Sequence, residues 1–198
     1  MSEKELVALA VKGDNYAFEQ IVTMFEKKVY NMALRYTADP QDALDICQEV
    51  FLRVYRFLPR FKGDSTLSTW IYRITMNVCH DTTAKKTNIY ELSLDSGTNN
   101  DEPTSEIADL RFDPENEFEK KQTRELIARG ITMLDSDHRD AIIMRDINGM
   151  SYDEIAYALG VSQGTVKSRI SRAREKLKNF LIKNGNFFAQ NQSKYNED

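Results

Sequence analysis

The sequence predicts an all-α protein, built from two small helical domains that are joined by a flexible acidic linker. Only eight glycines and four prolines occur in 198 residues, which leaves little material for the many tight turns of a β-sandwich. Apolar side chains instead recur with the period of an α-helix over several long segments. In the middle of the chain this periodicity stops and acidic residues accumulate, which marks a boundary between two helical units.

Composition narrows the class of protein further. Hydrophobic residues make up 41% and charged residues 29% of the chain, as in ordinary globular proteins. The longest stretch without a charged residue, 155–166, has 12 residues, whereas a membrane span needs about 20. The first residues, Met-Ser-Glu-Lys-Glu, lack the basic and apolar regions of a secretory signal. We therefore expect a cytoplasmic protein with no direct membrane insertion.

The cysteines and histidines predict neither a disulfide nor a metal site. Cys47 and Cys79 are widely spaced, and with His80 and His138 they match no zinc-finger pattern. We expect reduced thiols, no metal and no cofactor. Cys79 and His80 are adjacent and so point to different helix faces, which excludes a nucleophile–base pair between them. The chain has no Gly-rich phosphate loop, and no catalytic residue is predicted.

The net charge of −4 conceals an uneven distribution along the chain. Residues 81–119 carry 11 acidic and three basic side chains. Residues 163–183, in contrast, carry seven basic side chains against the single acidic residue Glu175. The sequence thus combines an acidic middle with a basic stripe near its C-terminal end, and a stripe of this kind is typical of a nucleic-acid contact.

Residues 1–87 form the first predicted domain, with three strong helices after a short one. Gly13-Asp14 ends the short helix, and Asp14 can cap the next. Asp39-Pro40 starts another helix, with Asp as N-cap and Pro at the first helical position. A third runs from Leu67 to about Lys86. The predicted core stripes are Phe18, Ile21, Val22, Phe25, Val29, Met32, Ala33 and Tyr36; Ala43, Cys47, Val50, Val54 and Leu58; and Leu67, Trp70, Ile71, Ile74 and Val78.

Residues 88–118 form the predicted linker, and 119–184 form the second predicted domain. Asp135-Ser136 can cap one helix of this domain, and Asn148-Gly149 turns the chain. Ser151 and Glu154 have the spacing of a capping box at the start of the next helix. Ser162 can cap a last long helix that reaches about Lys183. Residues 185–198 form a polar tail to which we assign no function.

Residues 151–174 have the pattern of a helix-turn-helix. Ile155 and Ala156 are predicted to face inward, and Gly160 permits the tight turn. Val166 and Ile170 would pack the second helix back, which leaves basic and hydroxyl side chains outward, where they suit a DNA major groove. A solvated basic helix in a bundle is the alternative, which the cap, the turn and the charge together make the weaker interpretation.

Two further surfaces are ambiguous from the residues alone. The helix that begins at Pro40 has a polar face opposite its apolar stripe, and pairs such as Glu49–Arg53 would be ordinary on a solvated surface. The segment 61–86 combines aromatic, amide and cationic side chains, as single-stranded nucleic acid requires for stacking and phosphate contact. Trp70 in this segment is equally consistent with a core position.

Taken together, the motifs resemble the bacterial RNA polymerase sigma factors of the extracytoplasmic-function (ECF) type. The resemblance covers residues 12 to about 178 and rests on four segments in the family's order and spacing. These are KGDNYAFEQIV, DICQEVFLRVYR, FKGDSTLSTWIYRITMN and SYDEIAYALGVSQGTVKSRISRAR. The resemblance implies a sigma factor, not an enzyme, that binds core RNA polymerase and promoter DNA. It also implies that an anti-sigma factor holds the protein in check.

The resemblance assigns three sets of site residues. Residues that dock on the clamp helices of core polymerase would be Asp45, Gln48, Glu49, Leu52, Arg53 and Arg56. Residues that open the minus-ten element and read its non-template strand would be Phe61, Lys62, Gly63, Asp64, Ser65, Trp70, Tyr72, Arg73, Asn77, Lys85 and Lys86. Residues that contact the duplex minus-thirty-five element would be Gly164, Thr165, Lys167, Ser168, Ser171 and Arg172.

Two other classes of protein would account for part of the sequence. A stand-alone helix-turn-helix regulator would bind duplex DNA without polymerase, but it leaves the segment DICQEVFLRVYR unexplained. An enzyme with an appended DNA-binding domain would need a pocket of convergent titratable groups, which the sequence does not offer. Ser171 stands where relatives often carry a larger side chain, so the base preference at that position is open.

Overall fold

The computed structural model describes residues 1–93 and 114–184, with side chains for 1–85 and 121–184. Within these ranges the chain forms eight α-helices and no strand, as the sequence predicts. The tail 185–198 and the central part of the predicted linker lie outside the described residues. Within residues 1–93 and 114–184, no helix is long and apolar enough to cross a membrane.

The first helical group consists of α1 to α4, each of which begins where the sequence provides a start signal. The helices are α1 (Glu3–Val11), α2 (Asn15–Thr37), α3 (Pro40–Phe57) and α4 (Leu67–Ser93), with a 3₁₀ turn at Leu58–Arg60. The Asp14 carboxylate accepts the Ala17 N–H at 3.0 Å, and the Asp39 carboxylate accepts the Asp42 N–H at 2.8 Å. Both predicted N-caps are thus confirmed.

The second helical group consists of α5 to α8. Its helices are α5 (Pro114–Thr132), α6 (Ser136–Ile142), α7 (Tyr152–Leu159) and α8 (Gln163–Asn184), with a π-helical turn at Ile143–Ile147. The predicted capping box of Ser151 and Glu154 is formed, and Gly160 adopts the left-handed conformation, with φ +66°. A side chain at Gly130 would collide with Leu177, so the glycine permits the close approach of α5 and α8.

The helix ends differ from the predicted linker boundaries. Helix α4 continues to Ser93, beyond the expected end near Lys86, and α5 already begins at Pro114. Both helices therefore extend into the predicted linker, 88–118. The apolar residues in these end segments, such as Ile89 and Leu92 in α4 and Phe118 in α5, are too few for a periodicity that marks the boundary.

Most members of the predicted core stripes are buried, but Phe18, Val22, Trp70 and Ile74 are only half-buried, and some positions are shifted by one. Helix α3 buries Ile46 where Cys47 was expected, and Cys47 is only half-buried. In α7 the buried pair is Ile155 and Ala158, while Ala156 is half-buried. Such shifts arise because a stripe at helical spacing fixes a face but not which flanking residue has a neighbour above it.

The two helical groups also pack against each other, which the sequence did not predict. Helix α7 lies against α4, and α5 together with the π-helical turn lies against α2. Buried apolar residues of both groups belong to one continuous core. The His80 imidazole is 2.8 Å from the Asp140 carboxylate across this contact, and Thr69 donates its hydroxyl to Glu154 at 3.2 Å.

Candidate nucleic-acid interface

The outward face of α3 carries polar side chains together with three exposed apolar ones, Leu44, Leu52 and Tyr55. Asp45, Gln48 and Arg56 are exposed on this face, and Leu52 is 66% exposed. These positions lie opposite the buried stripe of Ala43, Val50 and Val54, so replacing them does not disturb the core. Exposed apolar side chains that lie together on one helix face are suited to contact another protein.

The remaining two residues of the predicted docking set are engaged within the chain. Arg53 is bonded to Glu49 at 2.7 Å and to Asp81 of α4 at 2.9 Å. The ion pair with Glu49 is the intrahelical pair expected for an ordinary solvated face, and both hydrogen bonds raise the pKa of Arg53. Arg53 and Glu49 therefore help to join α3 to α4, and this limits their freedom to contact a partner.

An aromatic groove borders this face of α3. Phe18 of α2 and Tyr55 of α3 meet edge to face, with ring centroids 5.0 Å apart. Phe51, Gln48 and Leu52 complete the walls of the groove. The sequence predicts a core position for Phe18 and did not single out Tyr55, although Tyr55 follows Leu52 by three residues and so shares its face.

A second cleft lies where the loop after α3 meets the start of α4. The Phe61 and Trp70 rings are 5.2 Å apart and form one wall of the cleft. The polar and charged groups around it are Arg60, Lys62, Asp64, Ser65 and Arg73. Two aromatic rings among cations and a hydroxyl match what an unstacked nucleobase and its phosphate require. Trp70 is half-buried, so it contributes to the core and leaves part of its ring accessible at the cleft.

The outward face of α4 continues from this cleft. Arg73, Asn77 and Lys85 are exposed, and the first two are four residues apart, so they share one face. Gly63 in the preceding loop has φ +78° with open space around its Cα. The side chain of Lys86 lies outside the described residues.

Tyr72 is a correction to the predicted minus-ten set. Its side chain is 4% exposed, and its ring meets Phe25 of α2 edge to face, with centroids 6.4 Å apart. Burial also raises the pKa of its hydroxyl. A ring in this position cannot stack on a base, because it is enclosed between α2 and α4. Its neighbours Trp70 and Arg73 point elsewhere, since successive helix positions differ by about 100°.

Helix α8 presents the predicted polar face outward. Gly164, Lys167, Ser168, Ser171 and Arg172 are exposed, whereas Thr165 is half-buried. Thr165 shares a hydrogen bond of 2.9 Å with Ser162, whose hydroxyl also accepts the Thr165 N–H. Thr165 therefore serves the N-terminal cap of α8. The opposite face buries Val166, Ile170 and Ala173.

Much of the positive charge of α8 is neutralised within the chain. Arg169 pairs with Asp137 at 2.5 Å, Arg174 with Asp146 at 2.5 Å and Lys176 with Asp135 at 2.6 Å. The Lys176 contact and the hydrogen bonds from His138 hold the pKa of Asp135 well below its usual range. Among the described residues, the basic side chains of 163–183 that form no ion pair are Lys167, Arg172, Lys178 and Lys183.

The first turn of α8 contains further polar contacts that sequence reasoning missed. The Gln163 amide is hydrogen-bonded to Asp153 of α7, and Lys167 lies over the Tyr152 ring at 5.7 Å. Arg145 contacts the same ring at 4.8 Å. These contacts orient Gln163 and Lys167 at the exposed end of the helix. For these contacts the sequence offered a single signal, the outward position of Gln163. It could not indicate the partner, because Asp153 belongs to another helix, α7.

Family models match both helical groups. The family model described as "Sigma-70 region 2" matches residues 21–89. The model described as "Sigma-70, region 4" matches residues 124–177. The ECF RNA polymerase sigma-E factor of Escherichia coli (strain K12) is 35% identical over 181 residues, which cover 90% of this chain and 94% of that protein. The RNA polymerase sigma-H factor of Pseudomonas aeruginosa is 31% identical over 186 residues, which cover 87% and 90%.

Two solved structures share the fold. One is CnrH in complex with the cytosolic domain of CnrY, with a TM-score of 0.66 and 26% identity over 92% of this chain and 99% of that one. The other is the sigma factor RpoE in complex with the anti-sigma factor NepR from Bartonella quintana. It has a TM-score of 0.65 and 23% identity over 83% of this chain and 96% of that one.

Proposed function

The chain belongs to the ECF sigma factors of the sigma-70 family, which are transcription initiation factors, and we propose a division of labour among its three surfaces. Helix α3 docks on core RNA polymerase, the cleft beside Trp70 captures a base of the melted minus-ten strand, and α8 reads the minus-thirty-five duplex. The single observation that carries this proposal is that the residues assigned to each surface keep exposed or half-buried side chains on the side opposite a buried stripe. No chemical step by the chain itself is part of this function.

Docking is the task of α3. Leu52 and the aromatic groove of Phe18, Phe51 and Tyr55 offer an apolar centre, and Asp45 and Gln48 provide a polar rim. Protein interfaces combine an apolar or aromatic anchor with a polar surround in this way. Arg53 and Glu49 hold α3 in its position relative to α4. We assign them to the support of the docking face.

Strand capture is the task of the loop 61–65 and α4. A base that leaves the duplex can stack on Trp70 or Phe61, whose rings converge at 5.2 Å. Arg73 and Lys62 lie at the rim of the cleft and can contact phosphates. Asn77 is exposed on the same face as Arg73, and its amide can both donate to and accept from a base edge. Stacking of about 1–3 kcal/mol per base offsets the loss of pairing.

Duplex reading is the task of α8. Its exposed first turns fit the geometry of a recognition helix, whose N-terminal residues contact base edges in the major groove. Arg172 and Lys167 form no ion pair with the described residues, so their charges are available to guanine or phosphate. Arg169, Arg174 and Lys176 pair within the chain. We assign these three to the fold.

We also propose that an anti-sigma factor holds the protein. The relative CnrH forms a complex with the cytosolic domain of a second protein, CnrY. In this chain the groove of Phe18, Phe51 and Tyr55 is an open apolar surface that a partner of this kind would cover. Such a partner competes with polymerase if the two bind the same residues of α3.

Run-off transcription with purified core polymerase tests the proposed function. A template library with randomised minus-ten and minus-thirty-five segments supplies promoters of every sequence, so the preferred promoter emerges from the transcripts themselves. We expect defined transcripts only when both core polymerase and the chain are present. A stand-alone regulator would instead retain specific duplex fragments in the absence of polymerase, and it would not start transcription with core polymerase.

A further inference from the structure

The exposed row of side chains along α4 carries an acidic residue in its middle. The row begins at the cleft beside Trp70, which Tyr157 of α7 also lines. Its members are exposed and follow one another at intervals of four residues: Arg73, Asn77, Asp81 and Lys85. Asp81 is the one acidic residue of α4 up to Lys85, where the described side chains of this helix end.

A strand that binds along this exposed row passes the Asp81 carboxylate. Asp81 lies about 6 Å along the helix axis from Asn77 and about 6 Å from Lys85, at 1.5 Å per residue. Both distances are shorter than the range of about 10 Å over which exposed charges act on one another at 0.1 M salt. An uncompensated carboxylate at this place would therefore repel the phosphates of the strand.

The compensating charge comes from α3. The Arg53 Nη1 atom donates to Asp81 Oδ2 at 2.9 Å, and Arg53 Nε donates to Glu49 Oε1 at 2.7 Å. The guanidinium therefore lies between two carboxylates, with Glu49 on its α3 side and Asp81 on its α4 side. Among the described side chains, Arg53 is the only ion-pair partner of Asp81.

Resting on the proposed function, we propose that Arg53 is a positioning residue for strand capture, which neutralises Asp81 from α3 and so lets the exposed row of α4 accept the phosphates of the melted strand. Glu49 fixes the guanidinium from its other side. Arg53 acts through Asp81 and does not contact the DNA itself. The helix that docks on polymerase thereby also sets the charge of the helix that captures the strand.

Binding of a single strand at several salt concentrations measures this charge. The probe is a fluorescein-labelled non-template minus-ten strand of a promoter selected in the run-off experiment, and anisotropy follows its binding to the chain saturated with core polymerase. Saturation keeps differences in docking out of the measurement, and core polymerase alone gives the background. The slope of log affinity against log salt is proportional to the number of phosphates that the protein neutralises.

The decisive variants remove the two charges one after the other. We expect Arg53→Gln to weaken binding and to reduce the slope by about 0.7, the value for one phosphate contact on a single strand. Adding Asp81→Asn to Arg53→Gln should restore the wild-type slope, because no carboxylate is left to neutralise. A bridge that only supports the packing of α3 on α4 would not be restored, since the double variant also lacks the ion pair.

Glu49→Gln, added to Arg53→Gln, is the matched control. It removes one negative charge from the same group of three side chains but leaves the Asp81 carboxylate in the exposed row, so we expect no restoration. Arg53→Lys keeps the positive charge and should retain the wild-type slope. Asp81→Asn alone should bind at least as tightly as the wild type. Circular dichroism confirms that each variant is folded.

An unchanged slope in Arg53→Gln overturns the proposal, as does equal restoration by Asp81→Asn and Glu49→Gln, which would indicate an effect of net charge alone. Weaker binding by Asp81→Asn alone also overturns it, because Asp81 would then contact the strand directly. Failure of the proposed function is distinguishable, since it appears in the wild-type protein as the absence of transcripts with core polymerase. In that case α4 captures no strand, and the role of Arg53 is refuted with it.

Discussion

The His80 Nε2 atom lies 2.8 Å from the Asp140 Oδ2 atom and joins α4 to α6 across 60 residues of sequence. The Asp140 side chain is 4% exposed and that of His80 is 41% exposed. The other Asp140 oxygen has no hydrogen-bond partner among the described residues, which makes His80 the principal group that compensates the buried carboxylate. Loss of His80 would leave that carboxylate buried without this compensation.

The first prediction is that contact between the helical groups weakens as pH rises. The hydrogen bond with Asp140 raises the pKa of His80, and the charges of Asp137 and Asp81 add to this. A raised folded-state pKa contributes stability that is full below the unfolded value of about 6.5 and is lost as pH rises through the folded value. Burial also raises the pKa of Asp140. The titratable and charged groups around the His80–Asp140 pair are Asp137 and Arg139 of α6, Cys79 and Asp81 of α4, and Tyr36 of α2.

Acrylamide quenching of Trp70 fluorescence between about pH 6 and about pH 9 tests whether the contact between the helical groups weakens as pH rises. We expect the quenching to increase with pH in the wild type and to be flat in His80→Ala. A wild-type profile that matches that of His80→Ala would refute the role of the ion pair.

The second prediction concerns docking on polymerase. Gln48 and Leu52 are exposed on α3, so the double change to Ala should alter the free energy of unfolding by less than about 0.5 kcal/mol. An anchor residue at an interface contributes about 2 kcal/mol or more, so binding to core polymerase should weaken by more than tenfold. Fluorescence anisotropy with labelled protein measures the change.

Ile182→Ala is the control for docking, because Ile182 is also an exposed aliphatic residue but lies near the end of α8. It should bind core polymerase as the wild type does. If the Gln48 and Leu52 double variant did the same, α3 would not be the docking surface.

The third prediction separates strand capture from packing at Asn77. The side chain is exposed, so Asn77→Ala should leave thermal stability and closed-promoter binding unchanged. It should slow the formation of the open complex, because the base edge that the amide reads is accessible only after the strands part. Permanganate footprinting follows this step on a duplex promoter and, as a control, on a template with a pre-melted minus-ten bubble. Opening at the wild-type rate on the duplex would remove Asn77 from the strand-reading set.

The fourth prediction compares two arginines of α8. Arg172 is exposed and forms no ion pair with the described residues, whereas Arg174 is paired with Asp146 through two hydrogen bonds. If Arg172 contacts a base, Arg172→Ala should cost about 1–3 kcal/mol of binding and relax the preference at one promoter position. Arg174→Ala should leave the base preference intact. Relative transcription from a promoter library measures both, and identical preferences in wild type and Arg172→Ala would exclude base reading by Arg172.

The fifth prediction follows from the burial of Tyr72. Tyr72→Ala should reduce the free energy of unfolding by about 3–5 kcal/mol, as other buried aromatic residues do. Tyr72→Phe keeps the edge-to-face contact with Phe25 and should be close to wild type in both stability and transcription. Chemical denaturation measures the stability. Impaired promoter opening in a stable Tyr72→Phe protein would restore the minus-ten assignment.

The sequence alone predicted the helices that carry local signals. Asp14, Asp39, Ser151 and Ser162 cap helices at the predicted places, because a cap is formed by residues three positions apart. The outward face of α8 was predictable for the same reason, since a period of 3.6 residues determines which positions lie together. The continuation of α4 to Ser93 was missed, because the three apolar residues after Lys86, namely Ile89, Tyr90 and Leu92, are too few to establish a helical period.

Only the tertiary structure decided which of these faces are available. Tyr72 and Trp70 are two residues apart and both aromatic, but α2 encloses one ring and leaves the other beside a cleft. Three of the seven basic residues of 163–183 are neutralised by Asp135, Asp137 and Asp146, which lie at the start of α6 and in the π-helical turn. The other four form no ion pair among the described residues. The contact of Tyr157 with the Trp70 cleft joins segments that no sequence periodicity connects. Local pattern determines the helix and its face, whereas contacts between distant segments determine what covers that face.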